Sequence, residues 1–512
     1  MKHPLLYQIN TRVFLQERGV ALGRPATLDD IPDDLLDDVT AKGFTWVWFL
    51  GVWQTGAIGR QVSRTNPGLR DECRRELPDL REQDITGSPF AITAYKVHED
   101  FGGDTALRHL RQRLARRGLK LLLDFVPNHT ARDHKWVSAH PEYYVPGSEA
   151  DLAREPQNYA RVEPAGRGQR GQDAQGGQAG AILAYGRDPY FAGWPDTFQL
   201  NYRHAGFREA QLLELGGVAD RCDGVRCDMA MLLQPEIIKR TWGDRALPRD
   251  GLPPQDEPFW PEAINAIRRR HAEFLFIAEV YWDMEWELQQ AGFDFTYDKR
   301  FYDRLVAGAG EQVREHLWAD GVYQDHSLRF LENHDEPRAA ATFQPPEKHK
   351  AAAVVALTAR GLRLLHEGQL QARKVHVSMH LGRRPAEPVD ADMLAFYTRL
   401  LAVLQRPELH DGDWQLAPVR AAWDGNPTHQ QIIVSSWQSG ERRLLVAVNY
   451  GASQAQCTFT SSMAGVAGRQ FTLVDLMGDA KYERAGDDIA ARGLYLDMPP
   501  WAYNVFALQP TA

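Results

Sequence analysis

Residues 121–129 read Leu-Leu-Leu-Asp-Phe-Val-Pro-Asn-His, an apolar run that ends in polar and ionisable side chains. Three other segments end in a similar way: Gly-Val-Arg-Cys-Asp at 224–228, Phe-Leu-Phe-Ile-Ala-Glu at 274–279 and Phe-Leu-Glu-Asn-His-Asp at 330–335. Nearly continuous apolar runs are typical of parallel strands that are covered on both faces. The four segments therefore predict a parallel sheet with ionisable groups at the carboxyl ends of its strands.

Eight runs of this kind alternate with amphipathic helical patterns. They are Leu5–Ile9, Phe44–Leu50, Leu119–Val126, Gly224–Asp228, Phe274–Val280, Phe293–Thr296, Leu328–Leu331 and Leu362–His366. Helical patterns such as Ile31–Lys42 and Leu107–Arg117 are each followed by a glycine, a common helix end. The alternation predicts an α/β fold, a (β/α)8 TIM barrel with long insertions. A doubly wound open sheet is the alternative, but no Gly-x-Gly-x-x-Gly follows the first strand.

The pattern also divides the chain into domains. A long irregular stretch at 131–202 follows the third strand, on the side where barrel enzymes carry their active sites, and predicts an inserted domain. It contains Ala165–Gly180, a segment made largely of Gly, Gln, Arg and Ala that cannot bury a core. From about residue 395, short alternating runs separated by turn residues predict an antiparallel β-sandwich domain at 395–512. The barrel then takes residues 1–130 and 203–394.

Composition excludes several classes of function. The net charge is −9 and no basic stripe is interleaved with aromatic residues, so no nucleic-acid partner is expected. No stretch approaches 18 continuous apolar residues and the N-terminus shows no signal-peptide core, so we expect neither a membrane partner nor secretion. The four cysteines show no metal-ligand spacing, which favours a reduced, cytoplasmic protein.

The acids at the strand ends suit the cleavage of a glycosidic bond. That reaction needs one carboxylate that stays ionised beside the sugar C1, and a second that stays protonated to deliver a proton to the leaving oxygen. Arg226 precedes Asp228 by two positions, so the two share a strand face, and the guanidinium would lower the pKa of Asp228. Glu279 follows five hydrophobic residues, and burial raises the pKa of a carboxyl group. Asp228 is therefore the predicted nucleophile and Glu279 the predicted general acid.

At these residues the sequence resembles the α-amylase family, glycoside hydrolase family 13. The four signature regions of the family are matched in the family order by residues 124–129, 224–228, 279–282 and 333–335. The resemblance extends over nearly the whole chain. It implies the barrel fold, a retaining mechanism on the α-glucosidic bonds of a carbohydrate substrate, and no required cofactor.

The resemblance also implies roles for individual residues. Asp228 would form the covalent glycosyl-enzyme, Glu279 would first donate and then accept the proton, and Asp335 would bind the 2- and 3-hydroxyls and strain the sugar ring. The residues that would bind or support the substrate are Arg226, His129, His334, Asp124, Phe90, Asn333 and Arg338. Asn128 occupies a position that often ligates a structural Ca²⁺ in the family, which makes it a candidate metal ligand.

The segment after the nucleophile departs from the family pattern. Met231 and Leu232 stand where the family usually has Lys-His or a similar pair that touches the leaving part of the substrate. This difference favours α-1,4 malto-oligosaccharides or small α-glucosides over long starch chains. A transglycosylase or a sucrose- or trehalose-converting isomerase would use the same covalent intermediate, so both stay open. A non-catalytic sugar-binding or chaperone-like homologue would be expected to lose a carboxylate, and this chain keeps all three.

Overall fold

A closed barrel of eight parallel strands forms the centre of the computed structural model, which describes residues 2–162, 180–460 and 465–511. The strands are β1 (Leu5–Asn10), β2 (Trp46–Leu50), β3 (Lys120–Phe125), β4 (Gly224–Cys227), β5 (Leu275–Ala278), β6 (Phe295–Tyr297), β7 (Ser327–Arg329) and β8 (Leu362–His366). Each strand pairs with its neighbours in the sequence, and β8 pairs with β1. The predicted TIM barrel and its eight strands are therefore confirmed.

Burial explains why the strands read as continuous apolar runs. Every residue of β2, β4, β7 and β8 is buried. One face of each strand points into the barrel and the other packs under the helices, so neither face needs polar residues. An ionisable side chain therefore finds water only beyond the end of a strand.

Helices connect the barrel strands, and the helical patterns are confirmed with shifted ends. Helix Asp33–Ala41 is followed by Gly43 and helix Gly103–Ala115 by Gly118, both glycines with positive φ. The other α-helices before the C-terminal sheets are Thr11–Leu22, Ala57–Thr65, Pro67–Glu76, Lys135–Ala139, Glu149–Arg154, Ala205–Ala219, Pro235–Trp242, Phe259–Arg268, Glu285–Gln290, Lys299–Ala307, Gly310–Leu317, Gly321–Asp325, Ala339–Thr342, Pro346–Leu357, Ala391–Leu404 and Pro407–Asp411.

Two short strand pairs build the inserted domain after β3. Strand His129–Ala131 pairs with Thr197–Gln199, and Tyr159–Arg161 pairs with Ile182–Ala184, both antiparallel. The first pair sets His129 directly opposite Gln199. Apart from Gly180, the segment 165–180 lies outside the described residues.

The C-terminal part contains two antiparallel sheets with an apolar core formed by both. The six-stranded sheet runs Asp413–Leu416, Ile432–Ser439, Arg442–Asn449, Tyr503–Pro510, Gln470–Asp475 and Lys481–Ala485. The three-stranded sheet runs Val419–Ala421, Ala455–Phe459 and Leu494–Met498, and helix Gly486–Ala491 precedes its last strand. The boundary predicted at residue 395 falls inside helix Ala391–Leu404, which packs against Pro346–Leu357, so the sheets begin later, at Asp413.

A short antiparallel ribbon, Trp53–Thr55 with Ile92–Val97, lies in the long connection after β2. Within the three described ranges, none of the helices is both long and apolar enough to cross a membrane. All four cysteines are free and buried.

Candidate active site

Two carboxylates stand side by side where β4 and β5 end. Cys227 is paired with Ala278 across these strands, so the next residues, Asp228 and Glu279, occupy matching positions. The Asp228 amide donates to Phe125 O at 2.9 Å, and the Glu279 amide donates to Cys227 O at 3.0 Å. Because neighbouring strands lie about 4.8 Å apart, both side chains start from one edge of the barrel at close range.

Arg226 joins the three predicted catalytic carboxylates. Its Nη1 donates to Asp228 Oδ1 at 2.6 Å, and its Nη2 lies 2.8 Å from Glu279 Oε2 and 3.6 Å from Asp335 Oδ2. The Arg226 side chain is only 1% exposed. The contact with Asp228 agrees with the sequence prediction, whereas the contacts with the other two acids were not predicted.

Aromatic rings surround this guanidinium. Its carbon lies 5.6 Å from the ring centroid of Trp48, 5.3 Å from that of Phe90 and 5.9 Å from that of Tyr297. Water is thus excluded from the cationic side of the site, which strengthens each charge interaction.

The environment of Glu279 favours its protonated form. Burial raises the pKa of Glu279 to about 8, although Arg226 acts in the opposite direction. The immediate partners of the carboxyl group are polar: Met229 N donates to Oε2 at 2.6 Å and Tyr281 OH donates to Oε1 at 2.9 Å. Glu279 is therefore buried but hydrogen-bonded, and the direction of its pKa shift agrees with the sequence prediction.

Solvent exposure separates the third carboxylate from the first two. The Asp335 side chain is 36% exposed, whereas the side chains of Asp228 and Glu279 are 8% and 5% exposed. Asp335 follows β7 through a loop in which the Asn333 side chain accepts hydrogen bonds from the amides of Asp335 and Glu336, both at 2.9 Å. The three acids thus meet around Arg226 with one of them facing the opening.

The two predicted histidines are held as neutral rings. Burial lowers the pKa of His129, and burial together with Arg226 lowers that of His334 well below its usual range. Gln8, on β1, places its amide nitrogen 2.8 Å from His334 Nδ1. Because that amide group donates, Nδ1 accepts, and the proton resides on Nε2, 3.1 Å from Asp335 Oδ2.

Two half-buried rings complete the rim. Phe90 lies 5.6 Å from the His334 ring, centroid to centroid, and Trp194 of the inserted domain lies 5.2 Å from the His129 ring. Sugar stacking on Phe90 stays a prediction. Gln8 received no role from the sequence, although it is a buried amide in a largely apolar strand, which is the signal that could have identified it.

Three residues predicted to bind substrate have protein partners instead. Asp124 accepts from Trp48 Nε1 at 3.1 Å and from Gly51 N at 2.7 Å, and the Asn333 side chain shapes its own loop. Arg338 donates to Glu332 Oε1 at 2.6 Å and to Glu367 O at 2.9 Å. All three side chains are buried. These contacts change the assignment of Asn333 and Arg338 from substrate contact to support of the loops that carry the site, and they agree with a supporting role for Asp124.

Asn128 does not fit the role of a calcium ligand. Gln199 Nε2 donates to Asn128 Oδ1 at 2.9 Å and lies 3.0 Å from Asn128 O and 3.2 Å from Leu200 O. Calcium needs six to eight oxygen ligands, but here an amide nitrogen already stands among the three oxygens. Over the part of the chain that the structure describes, no group of three His, Cys, Asp or Glu residues could hold a metal ion.

Comparison with known proteins agrees with this geometry. The family model for the α-amylase catalytic domain matches residues 90–385, more than half of the chain. The chain therefore belongs to the α-amylase family of glycoside hydrolases.

Several of the similar proteins are named as α-amylases. Alpha-amylase MalA of Haloarcula japonica is 26% identical over 302 residues, which cover 57% of this chain but only 38% of that protein. The structure resembles a noncanonic maltogenic α-amylase, AmyB, from Thermotoga neapolitana, with a TM-score of 0.68, 17% identity and 99% of both chains covered. It also resembles an acarbose complex of the α-amylase from Geobacillus thermoleovorans, with a TM-score of 0.62, 16% identity and coverage of 99% and 98%. At these identities the structural likeness shows the fold.

The raised pKa of Glu279 predicts the upper limit of the pH profile. We expect kcat/KM to fall as the pH rises through about 8, because Glu279 then loses the proton that it must deliver. Tyr281→Phe removes a hydrogen-bond donor to the ionised Glu279, so the pKa of Glu279 should rise and the fall in kcat/KM should move to higher pH. Tyr495→Phe, at an exposed position in the C-terminal sheets, is the control. If kcat/KM falls at the same pH in Tyr281→Phe as in the wild-type protein, the assignment of Glu279 as the general acid is contradicted.

The corrected role of Arg338 predicts a loss of stability. Arg338→Ala leaves the buried Glu332 without its partner and should lower the free energy of unfolding by about 3–5 kcal/mol. Arg270→Ala breaks an exposed pair with Asp220 and should change it by less than about 1 kcal/mol. Urea unfolding measures both. An Arg338→Ala protein of normal stability with a raised KM would restore the substrate-binding role.

The contacts of Gln199 predict that calcium does not change the thermal stability of the protein. We expect EDTA to leave the melting temperature of the wild-type protein unchanged. Gln199→Glu sets a carboxylate against three oxygens, so it should lower the melting temperature, and added Ca²⁺ should restore it. Gln157→Glu, at an exposed site of the same inserted domain, is the matched control. A wild-type protein that melts several degrees lower in EDTA would refute this interpretation.

Proposed function

We infer that the protein is a retaining glycoside hydrolase that cleaves α-glucosidic bonds in small α-1,4 malto-oligosaccharides or related α-glucosides. One observation carries this proposal: a single buried guanidinium contacts two carboxylates on adjacent strands, Asp228 and Glu279, and a third, Asp335, at the opening. Related proteins named as α-amylases support the choice of substrate class.

The first chemical step uses the two buried acids in different protonation states. Asp228, as a carboxylate, attacks C1 of the sugar, and the bond from C1 to the leaving oxygen breaks. Glu279 gives its proton to that oxygen, as its raised pKa permits. In the second step Glu279 takes a proton from the water that attacks C1, and Asp228 is released.

The spacing of the strands supports retention over inversion. Retaining enzymes hold their two carboxyl groups about 5–5.5 Å apart, and inverting enzymes hold them about 6.5–9.5 Å apart. Asp228 and Glu279 start from paired positions on neighbouring strands and share one guanidinium. That arrangement leaves little room for a water molecule between nucleophile and sugar.

The residues on the leaving-group side of the site favour the proposal of a short substrate. Met231 and Leu232 are buried and lie in the loop after β4. They offer no charged or hydrogen-bonding side chain to a long glucan. Hydrolysis needs no cofactor in this scheme. Transglycosylation would differ only in the acceptor, so products analysed at high sugar concentration distinguish the two.

The assignment of roles is tested with two variants and two substrates. Asp228→Asn should lower kcat by roughly 1,000-fold or more on both maltotriose and α-glucosyl fluoride, because the covalent step is lost. Glu279→Gln should do so on maltotriose but far less on the fluoride, whose leaving group needs no proton. Asp256→Asn, at an exposed site, is the control. Full activity of Asp228→Asn on maltotriose would overturn the proposal.

A further inference from the structure

Two loops at the mouth of the barrel are bound firmly to each other. One is residues 57–87, after β2, and the other is residues 367–390, after β8; we call their joined surface the clasp. At its centre Cys73, Leu77, Ile85 and Leu381 form a separate buried cluster, and Ile85 pairs with Leu381 as an antiparallel bridge. The clasp is therefore packed rather than merely adjacent.

Polar contacts close the clasp along its length. Arg383, on the β8 side, pairs with Asp79 at 3.1 Å and with Asp84 at 2.8 Å. Ser63 Oγ lies 2.8 Å from His380 Nδ1, and Gly382 N donates to Asp84 O at 2.9 Å. A bidentate guanidinium and backbone hydrogen bonds hold the two loops in a fixed position.

The inner end of the clasp reaches the catalytic loop. His376 Nδ1 lies 2.7 Å from Glu76 Oε1, and His376 Nε2 lies 3.0 Å from His334 O, next to Asp335. Glu76 also accepts from Ser378 N. Because both ring nitrogens face acceptors, both carry protons, and His376 is an imidazolium held by Glu76. This pair links the clasp to the loop that carries the exposed carboxylate of Asp335.

The topology places the clasp on a definite side of the scissile bond. In a closed barrel of eight sequential strands, β5 lies opposite β1, and the clasp joins the strands on either side of β1. Glu279 ends β5 and must stand beside the leaving oxygen, so the leaving group extends toward β5. In a pyranose ring O4 lies across from C1, so the far end of the bound sugar points at the clasp.

We propose that the clasp closes the site beyond one sugar unit, so that the enzyme removes a single terminal glucosyl residue and rejects chain interiors. Glu76 and His376 are the positioning residues that hold the clasp against the loop carrying Asp335. This proposal rests on the proposed function, since it concerns which α-glucoside enters that same site. It adds the substrate class: α-glucosides with a free non-reducing end.

The test compares two forms of one maltoheptaoside that carries a chromogenic group at its reducing end. In one form the non-reducing end is free, and in the other an ethylidene group bridges its 4- and 6-hydroxyls. We expect the free form to lose single glucose units from its non-reducing end. We expect the blocked form to react at least roughly 100-fold more slowly, because the clasp leaves no space for the added group.

Three outcomes separate the two proposals. If 4-nitrophenyl α-glucoside and both heptaosides are all inert, the proposed function fails and this inference fails with it. If the glucoside is cleaved and the blocked heptaoside reacts as fast as the free one, the function stands and chain-end action is overturned. Slow reaction of the blocked form, with glucose as the first product of the free form, supports the clasp.

Variants test the two positioning residues. Glu76→Gln and His376→Asn should raise the KM for 4-nitrophenyl α-glucoside roughly 10-fold, because each weakens a charged hydrogen bond near the sugar. Their melting temperatures show whether the clasp stays folded. Asp71→Asn, at an exposed position of the same helix, should leave KM unchanged. Unchanged KM in both folded variants would remove Glu76 and His376 from the proposal.

Discussion

The guanidinium of Arg226 is the charge on which the rest of the site depends. Removing a charge from water costs several kcal/mol per ion, even in real proteins, unless its partners are well placed. Carboxylates that follow β4, β5 and β7 supply those partners, and three rings exclude solvent. The dependence is mutual, because acids so close together would otherwise repel each other and take up protons. The arginine therefore sets the relative position of three strand ends that are remote in the sequence.

Most of this site could be predicted from the sequence. The apolar pattern identifies the strands, and the position of an ionisable residue relative to a strand end identifies the rim of the barrel. A parallel strand covered on both faces is apolar throughout, so the first ionisable residue after it marks the rim of the barrel. That argument located Asp228 and Glu279, whereas Asp335, which comes after Glu332 in its segment, was assigned through the resemblance to the α-amylase family. It also placed Arg226 beside Asp228, because alternate residues of a strand share a face. It could not show that the same guanidinium reaches Glu279, since that contact depends on the pairing of β4 with β5.

The wrong predictions share one physical cause. An ionisable residue near a strand end can hold the loops of the barrel in place instead of contacting the substrate. Asn333 lies in the fourth signature region and Arg338 lies just after it, yet the Asn333 side chain binds the amides of its own loop and Arg338 pairs with the buried Glu332. Partners such as Glu332 cannot be identified without three-dimensional contacts. Strand Lys481–Ala485 of the C-terminal sheets is a different case, because it is largely exposed and charged and lacks the alternation that marks a half-buried strand.

The contact between Gln8 and His334 has a consequence for how protons can move in the site. With Nδ1 placed as an acceptor, His334 cannot take a proton there without losing its hydrogen bond from Gln8. Proton exchange in the site is then left to the carboxyl groups, and burial raises the pKa of Glu279 to about 8. The first strand of the barrel, which contributes no carboxylate, thereby keeps one histidine of the site in its neutral form.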